Sequence, residues 1–296
     1  MVTLGVRGGL SVDHLVRSGQ GARFDELGGP GFFAALGARL VSGVDVRIST
    51  ALPADEPRFG EIFDRLGIDR RYCAEVDAAT RLWILDSDEG RRIVETAPAE
   101  IEIEGAASPR EEPEQPLDPR FVSGLDALLD SAPLHRTPVE VGTSVGIDPH
   151  QGRMRADPIG FLRRVTPPGG ILLPSRVQLS LIDRDARAAA RRIAGELDVS
   201  VIARLDRDGM SVVAAGSGAE WIVRDSEVQV RETTGAGDAS AAAIMASIAT
   251  GADLVSAAMT GIAIARIALA DWGAAALLRS EPFLTPPRGV TAQKER

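Results

Sequence analysis

The chain has 296 residues, of which 44% are hydrophobic, 25% charged and 4% aromatic. That is ordinary globular composition with a core resting on Ala, Val, Leu and Ile, and the length suits one large α/β core with a smaller element attached. The formal charge of −9 argues against a surface that tracks nucleic-acid phosphates or anionic lipid, while leaving room for a small anion in a local pocket.

Cys73 is the only cysteine, so neither an internal disulfide nor a cysteine-built zinc site is expected. Met1–Arg7 carries no long apolar run. The most apolar stretch, Ala239–Leu278, is broken by Gly251, Asp253, Arg266 and Asp271. Neither a signal peptide nor a membrane span is expected, and a cytoplasmic protein is the natural reading.

In chain order, Val2–Val6 reads as a strand that ends in the turn Gly8-Gly9. Gly28-Gly29-Pro30-Gly31 opens an Ala-rich helix over Phe32–Val41. Val44–Thr50 alternates as a strand, and Pro57–Leu66 places Phe59, Ile62, Phe63 and Leu66 on one helical face. Arg81–Asp86 and Arg91–Thr96 flank Ser87-Asp88-Glu89-Gly90, the pattern of a β-hairpin and the natural form of a lid or dimer surface. Pro109–Pro119 is acidic and Pro-rich, hence an exposed loop. Strands are expected at Leu125–Ser131, Val145–Asp148, Gly170–Leu173, Val199–Ala203, Met210–Ala214, Glu220–Val223 and Val228–Arg231. One helix is expected over Arg176–Leu197, with Val177 inward and Asp183 pairing Arg187 one turn on. Asp238–Thr250 and Asp253–Ala270 read as buried Ala-rich helices.

Between a strand and a helix lies Glu232-Thr233-Thr234-Gly235-Ala236-Gly237-Asp238. Glycines allow a tight turn and close approach to a ligand. The first N–H groups of the helix lack intrahelical partners and, with the helix dipole, attract an anion. Such donors stabilise a phosphoryl group in flight, and a carboxylate beside them can accept the proton of an attacking hydroxyl. A plain Gly-rich turn with Asp in the first turn of a helix accounts for the same residues.

This segment resembles the second signature, Asp-Thr-x-Gly-Ala-Gly-Asp, of the PfkB or ribokinase-like kinases, with Glu232 in place of the first Asp. The resemblance implies Asp238 as base and Gly235, Ala236 and Gly237 as anion hole. Gly9-Leu10-Ser11-Val12-Asp13 resembles the turn whose Asp holds substrate hydroxyls, and Gly28-Gly29 with its helix resembles the first signature, Gly-Gly-x-x-x-Asn. Thr80-Arg81 and Gly90-Arg91-Arg92 resemble the lid. Gly146–Gly152 resembles the Asp-Pro-Gln-Gly strand end of an inositol-kinase-like branch. The matches run in order along nearly the whole chain. They imply a ribokinase-like three-layer α/β sandwich over residues 1–296, with a central mostly parallel sheet and a small β lid at about 13–27 and 70–104. They also imply an ATP-dependent phosphotransferase with an alcohol acceptor, using Mg²⁺, binding a small-molecule polyol and forming a homodimer through the lid.

The nucleotide side departs from the pattern. The Asn of the first signature is Phe33, expected to pack or to stack on a substrate ring. The Asn-x-x-Glu that holds phosphate and Mg²⁺ aligns with Ser175-Arg176-Val177-Gln178, where neutral Gln178 is a poor partner for a hard dication. The Thr-x-Gly near the nucleotide aligns with Arg204-Leu205-Asp206, followed by Gly209, and Thr233 precedes the anion hole. Two readings follow: a kinase of a sugar, cyclitol or nucleoside with an altered donor site, or a catalytically impaired member that binds small molecules or partners. His14, His135 and His150, the only histidines, share no metal-ligand spacing. Ser144 and Ser180 lack a hydrolase pattern. A dehydrogenase is disfavoured because no Gly-x-Gly-x-x-Gly opens a helix, and no P-loop Lys exists.

Overall fold

The structure, a computed structural model, describes residues 1–96, 117–131, 133–285 and 287–295. The strands are β1 (Val2–Arg7), β2 (Ser11–Arg17), β3 (Gly21–Gly28), β4 (Val44–Ser49), β5 (Ala51–Pro53), β6 (Ala74–Val76), β7 (Thr80–Ser87), β8 (Gly90–Thr96), β9 (Ala127–Ser131), β10 (Ser144–Asp148), β11 (Ile171–Leu172), β12 (Ser200–Arg204), β13 (Met210–Val213), β14 (Glu220–Asp225) and β15 (Val290–Lys294). The α-helices are α1 (Pro30–Arg39), α2 (Arg58–Arg65), α3 (Gln151–Met154), α4 (Pro158–Val165), α5 (Arg176–Leu179), α6 (Ala186–Leu197), α7 (Ala236–Ala249), α8 (Leu254–Leu269) and α9 (Ala275–Arg279).

Nine strands form the central sheet in the order β15-β14-β13-β12-β11-β10-β9-β1-β4. It is parallel from β4 to β12 and antiparallel from β12 to β15. Its central strands are apolar on both faces, as strands covered on both sides must be. Leu129 of β9 and Ile202 of β12 join the core under α1, α7 and α8. Leu128, Ile147 and Val201 join the opposite core under α4 and α6. Three layers result, a ribokinase-like α/β architecture.

A separate four-stranded sheet, β3-β2-β7-β8, reaches residues 231–234 through Arg17 and Arg91. Its two hairpins meet along a parallel seam between β2 and β7. Within the expected lid span, Ala74–Val76 pairs instead with Ala51–Pro53, and 97–104 lies outside the described residues, as does most of the acidic loop.

Four local expectations are corrected. Arg176–Leu197 is not one helix: α5 ends at Leu179, and Asp185 caps α6 by accepting from the N–H groups of Arg187 and Ala188. Val177 is therefore 53% exposed rather than inward, and Arg187 pairs with Glu220 and Glu295, not with Asp183. Val228–Arg231 is not a strand. β15 takes the place beside β14, and Val228 and Val230 stay partly exposed.

Candidate active site

The loop before α7 is built from one buried carboxylate. Glu232 Oε1 accepts from Thr233 N at 2.8 Å, from Thr234 N at 2.7 Å and from Thr234 Oγ1 at 2.7 Å. Its Oε2 accepts from Gly273 N at 3.3 Å. Gly235 then caps the helix at φ 75°, a left-handed conformation that strains any side chain. A Cβ there would lie 2.1 Å from the Phe33 ring. Phe33 is 1% exposed, so it braces the underside of the loop and does not face an open pocket. The N–H groups of Ala236, Gly237 and Asp238 begin α7 and have no intrahelical acceptor.

Asp238 lies half-buried in that first turn. Burial, then the charge of Asp148, push its carboxyl up to about 6, against the pull of Arg204 and Arg91. Asp148 ends β10 and Arg204 ends β12, and they form a buried ion pair, Arg204 Nη2 to Asp148 Oδ1, at 2.7 Å. Arg204 Nη1 lies 3.0 Å from where a side chain on Gly237 would begin. From the lid, Arg91 Nη2 donates to Thr234 Oγ1 at 3.0 Å and Nη1 to Thr233 Oγ1 at 3.5 Å.

Asp13, on β2, is 2% exposed. Burial pushes its carboxyl up to about 6, opposed by the hydrogen bond from Ser11 Oγ at 2.7 Å and by the charge of Arg91. Gly28 sits directly behind it, since a Cβ there would lie 2.0 Å from Asp13 Oδ2. Gly29 caps α1 at φ 93°. Arg91 thus acts electrostatically on Asp13 and Asp238 alike, and joins the four-stranded sheet to the loop before α7.

The other predicted positions are engaged by protein groups. Ser175 and Gln178 form a capping box on α5. Gln178 Oε1 accepts from Ser175 N at 2.6 Å and its Nε2 donates to Pro149 O. Asp206 and Asp208 both pair with Arg176, whose Nη2 also donates to Leu205 O at 2.7 Å. Gly209 turns the β12–β13 hairpin at φ 89° against Val223 O. Ser175 bridges the backbone of Arg204, so the two positions adjoin. Sequence reasoning missed the Arg204–Asp148 pair and the reach of Arg91, because their partners lie far apart in the chain. His14 packs on Trp83 at 4.8 Å between ring centroids, on the lid. A cavity of about 670 Å³ lined by Arg7, His135, Thr137 and others shares no lining residue with this site.

Residues 179–280 match the family model described as pfkB family carbohydrate kinase. Over that stretch the chain is similar to the pfkB family. The matched stretch contains Arg204 and the whole Gly235–Asp238 loop. The fold agrees over almost the full length. Ribokinase from Cryptococcus neoformans var. grubii serotype A, in complex with ADP, superposes with a TM-score of 0.70 at 20% identity, covering 96% of this chain and 98% of that one. Aminoimidazole riboside kinase from Salmonella enterica, complexed with aminoimidazole riboside and an ATP analog, gives 0.68 at 19% identity, with coverage of 95% and 97%. Arabidopsis thaliana ribokinase, complexed with ribose and ATP, gives 0.67 at 18% identity, with coverage of 95% and 100%. No curated protein matches the sequence.

Proposed function

We propose that this chain is an ATP-dependent kinase acting on a hydroxyl group of a sugar, cyclitol or nucleoside. The observation that carries the reading is Asp238, a carboxylate raised to about 6 in the first turn of a helix whose leading N–H groups lack intrahelical acceptors. A base near that value is unprotonated at neutral pH yet still takes a proton readily. The acceptor oxygen forms a bond to the γ-phosphorus. The bond to the β,γ-bridging oxygen breaks, and its electron pair leaves with ADP. The hydroxyl proton passes to Asp238, and the N–H groups of Gly235–Gly237 hold the phosphoryl oxygens. Asp13, flanked by Gly28 and Gly29, orients the acceptor, and Phe33 keeps the loop in place. Ser175, Arg204, Asp206, Gly209 and Thr233 border the nucleotide.

Mg²⁺ fits this chain poorly as a protein-held ion. Both ends of Gln178 are engaged, and Asp148 is paired with Arg204. No step above depends on the metal.

The test is transfer from ATP to a panel of sugars, cyclitols and nucleosides. Asp238→Asn is expected to lose about a hundredfold or more in kcat, and a variant as fast as the parent refutes the mechanism. The second reading, a small-molecule binding protein without efficient transfer, draws on the ion pairs at Arg176 and Arg204. Absence of transfer to every acceptor, with ligand binding retained, favours it. Homodimers are proposed through the outer face of the lid, where His14, Phe24 and Trp83 cluster and Phe24 is 57% exposed. A monomer by light scattering refutes that. Among the described residues no helix is long and apolar enough to cross a membrane, and the proposed location is the cytoplasm.

A further inference from the structure

We infer that Arg204 grips the terminal phosphate of a nucleoside triphosphate, and that Asp148 is the residue that positions it. This rests on the kinase reading for its choice of ligand. Arg204 is 8% exposed at the end of β12. A guanidinium so placed needs most of its donors satisfied. Among the described residues only Nη2 is, by Asp148. Nε is buried with no acceptor among them. Nη1 abuts Gly237 at the mouth of the anion hole.

The electrostatic setting points to the same ligand. The N-terminal end of α7 is positive through its free N–H groups, and Arg204 adds a second positive charge beside it that Asp238 and Asp148 offset only in part, so the spot still favours an anion. Asp148 offsets part of that charge and fixes the rotamer, but it sits on the far side, on Nη2. Nη1 lies beside exposed Gly237 at the helix end. A phosphate at that point receives N–H donors from α7 and a charged fork from Arg204, the geometry in which guanidinium recognises phosphate best. Gly237 is explained too, since a side chain there would fill the space. Where α5 offers Gln178 with both ends engaged, the positive charge needed beside the phosphate comes from the protein itself.

The experiment is titration calorimetry with ATP and with ADP, each in Mg²⁺ and in excess EDTA. The proteins are the wild type, Arg204→Lys, and Arg204→Met/Asp148→Asn. The double change removes both charges together, so neither is left buried alone. We expect the double variant to lose about tenfold or more in ATP affinity, with or without metal, while ADP affinity changes less than about threefold, as loss of a charged hydrogen bond to one phosphate predicts. Arg204→Lys should recover part of the loss. Equal losses for ATP and ADP, or unchanged ATP affinity, overturn the assignment. ATP-dependent transfer that survives the double variant unchanged sinks Arg204 and leaves the kinase reading standing. An ATP preference that requires Arg204, without transfer to any acceptor, supports Arg204 and sinks the kinase. Absence of ATP binding in the wild type overturns both.

Discussion

Replacing Asp13 by asparagine removes a charge from a side chain that is 2% exposed and leaves its volume nearly unchanged. Burial raises this carboxyl from 3.8 to about 6 in the folded chain. Below the unfolded value both states hold the proton, and the group is neutral to stability. Between roughly pH 4 and pH 6 the unfolded chain releases its proton first, so wild-type stability falls as pH rises through that window. A tenfold change in proton affinity is worth about 1.36 kcal/mol, so the full penalty above the folded value is about 3 kcal/mol. The asparagine keeps an acceptor for Ser11 Oγ but must place an amide where the second oxygen lay, which takes back part of the gain. Asp13→Asn should therefore unfold with about 1–3 kcal/mol more stability than the parent near pH 8, and match it within about 0.5 kcal/mol near pH 4. Urea denaturation at both pH values measures it. A variant no more stable near pH 8, or a gain that persists unchanged near pH 4, refutes the claim that Asp13 is held against its own ionisation. The same variant should phosphorylate its acceptor poorly, so stability and activity should move in opposite directions.

Gly235→Ala should destabilise by about 2 kcal/mol or more, because a left-handed alanine must also displace the Phe33 ring; thermal unfolding reads this, and a neutral change refutes the bracing role. Glu232→Ala leaves the donors of Thr233, Thr234 and Gly273 without their acceptor. It should cost about 2–4 kcal/mol and speed amide exchange in residues 233–236, whereas unaltered exchange refutes its organising role. The charge of Asp148 raises Asp238, so kcat/KM of the parent should rise with pH through about 6, and in Asp148→Asn the rise should move to lower pH. A limb that stays in place, or moves upward, refutes the coupling.

What the sequence made legible was local. Gly235–Asp238 and the Ala-rich helix behind it are contiguous, and glycine, dipole and carboxylate carry their meaning within a few residues. The alternation of β1, β4 and α1 is equally local. Hairpin β7–β8 was legible from its turn, whereas β2 and β3 were implied only through the family resemblance and not by their own pattern. Val12, His14 and Val16 alternate with Asp13 and Arg17 and look like a polar loop until a partner strand is known. Val228–Arg231 has strand composition, yet the place beside β14 is filled by β15, a competition no window of residues reveals. Arg204 looked like a departure from a motif, and Asp148 like part of a separate strand-end match. Only the parallel packing of β10, β11 and β12 brings their ends together and makes them one ion pair.

The seam between β2 and β7 has a consequence for how the molecule assembles. Ser11 is matched to Thr80 and Arg17 to Asp86, with α1, β4 and α2 in the intervening chain. Each lid hairpin alone is a two-stranded ribbon of marginal stability, and the seam joins them only after a long loop has closed. The core between them must therefore be largely in place before the lid exists as a sheet, which makes the lid a late and high-contact-order product of folding. Asp13 and Arg91 arrive on opposite sides of that seam, so the surroundings they share are completed last, when the rest of the protein has already set.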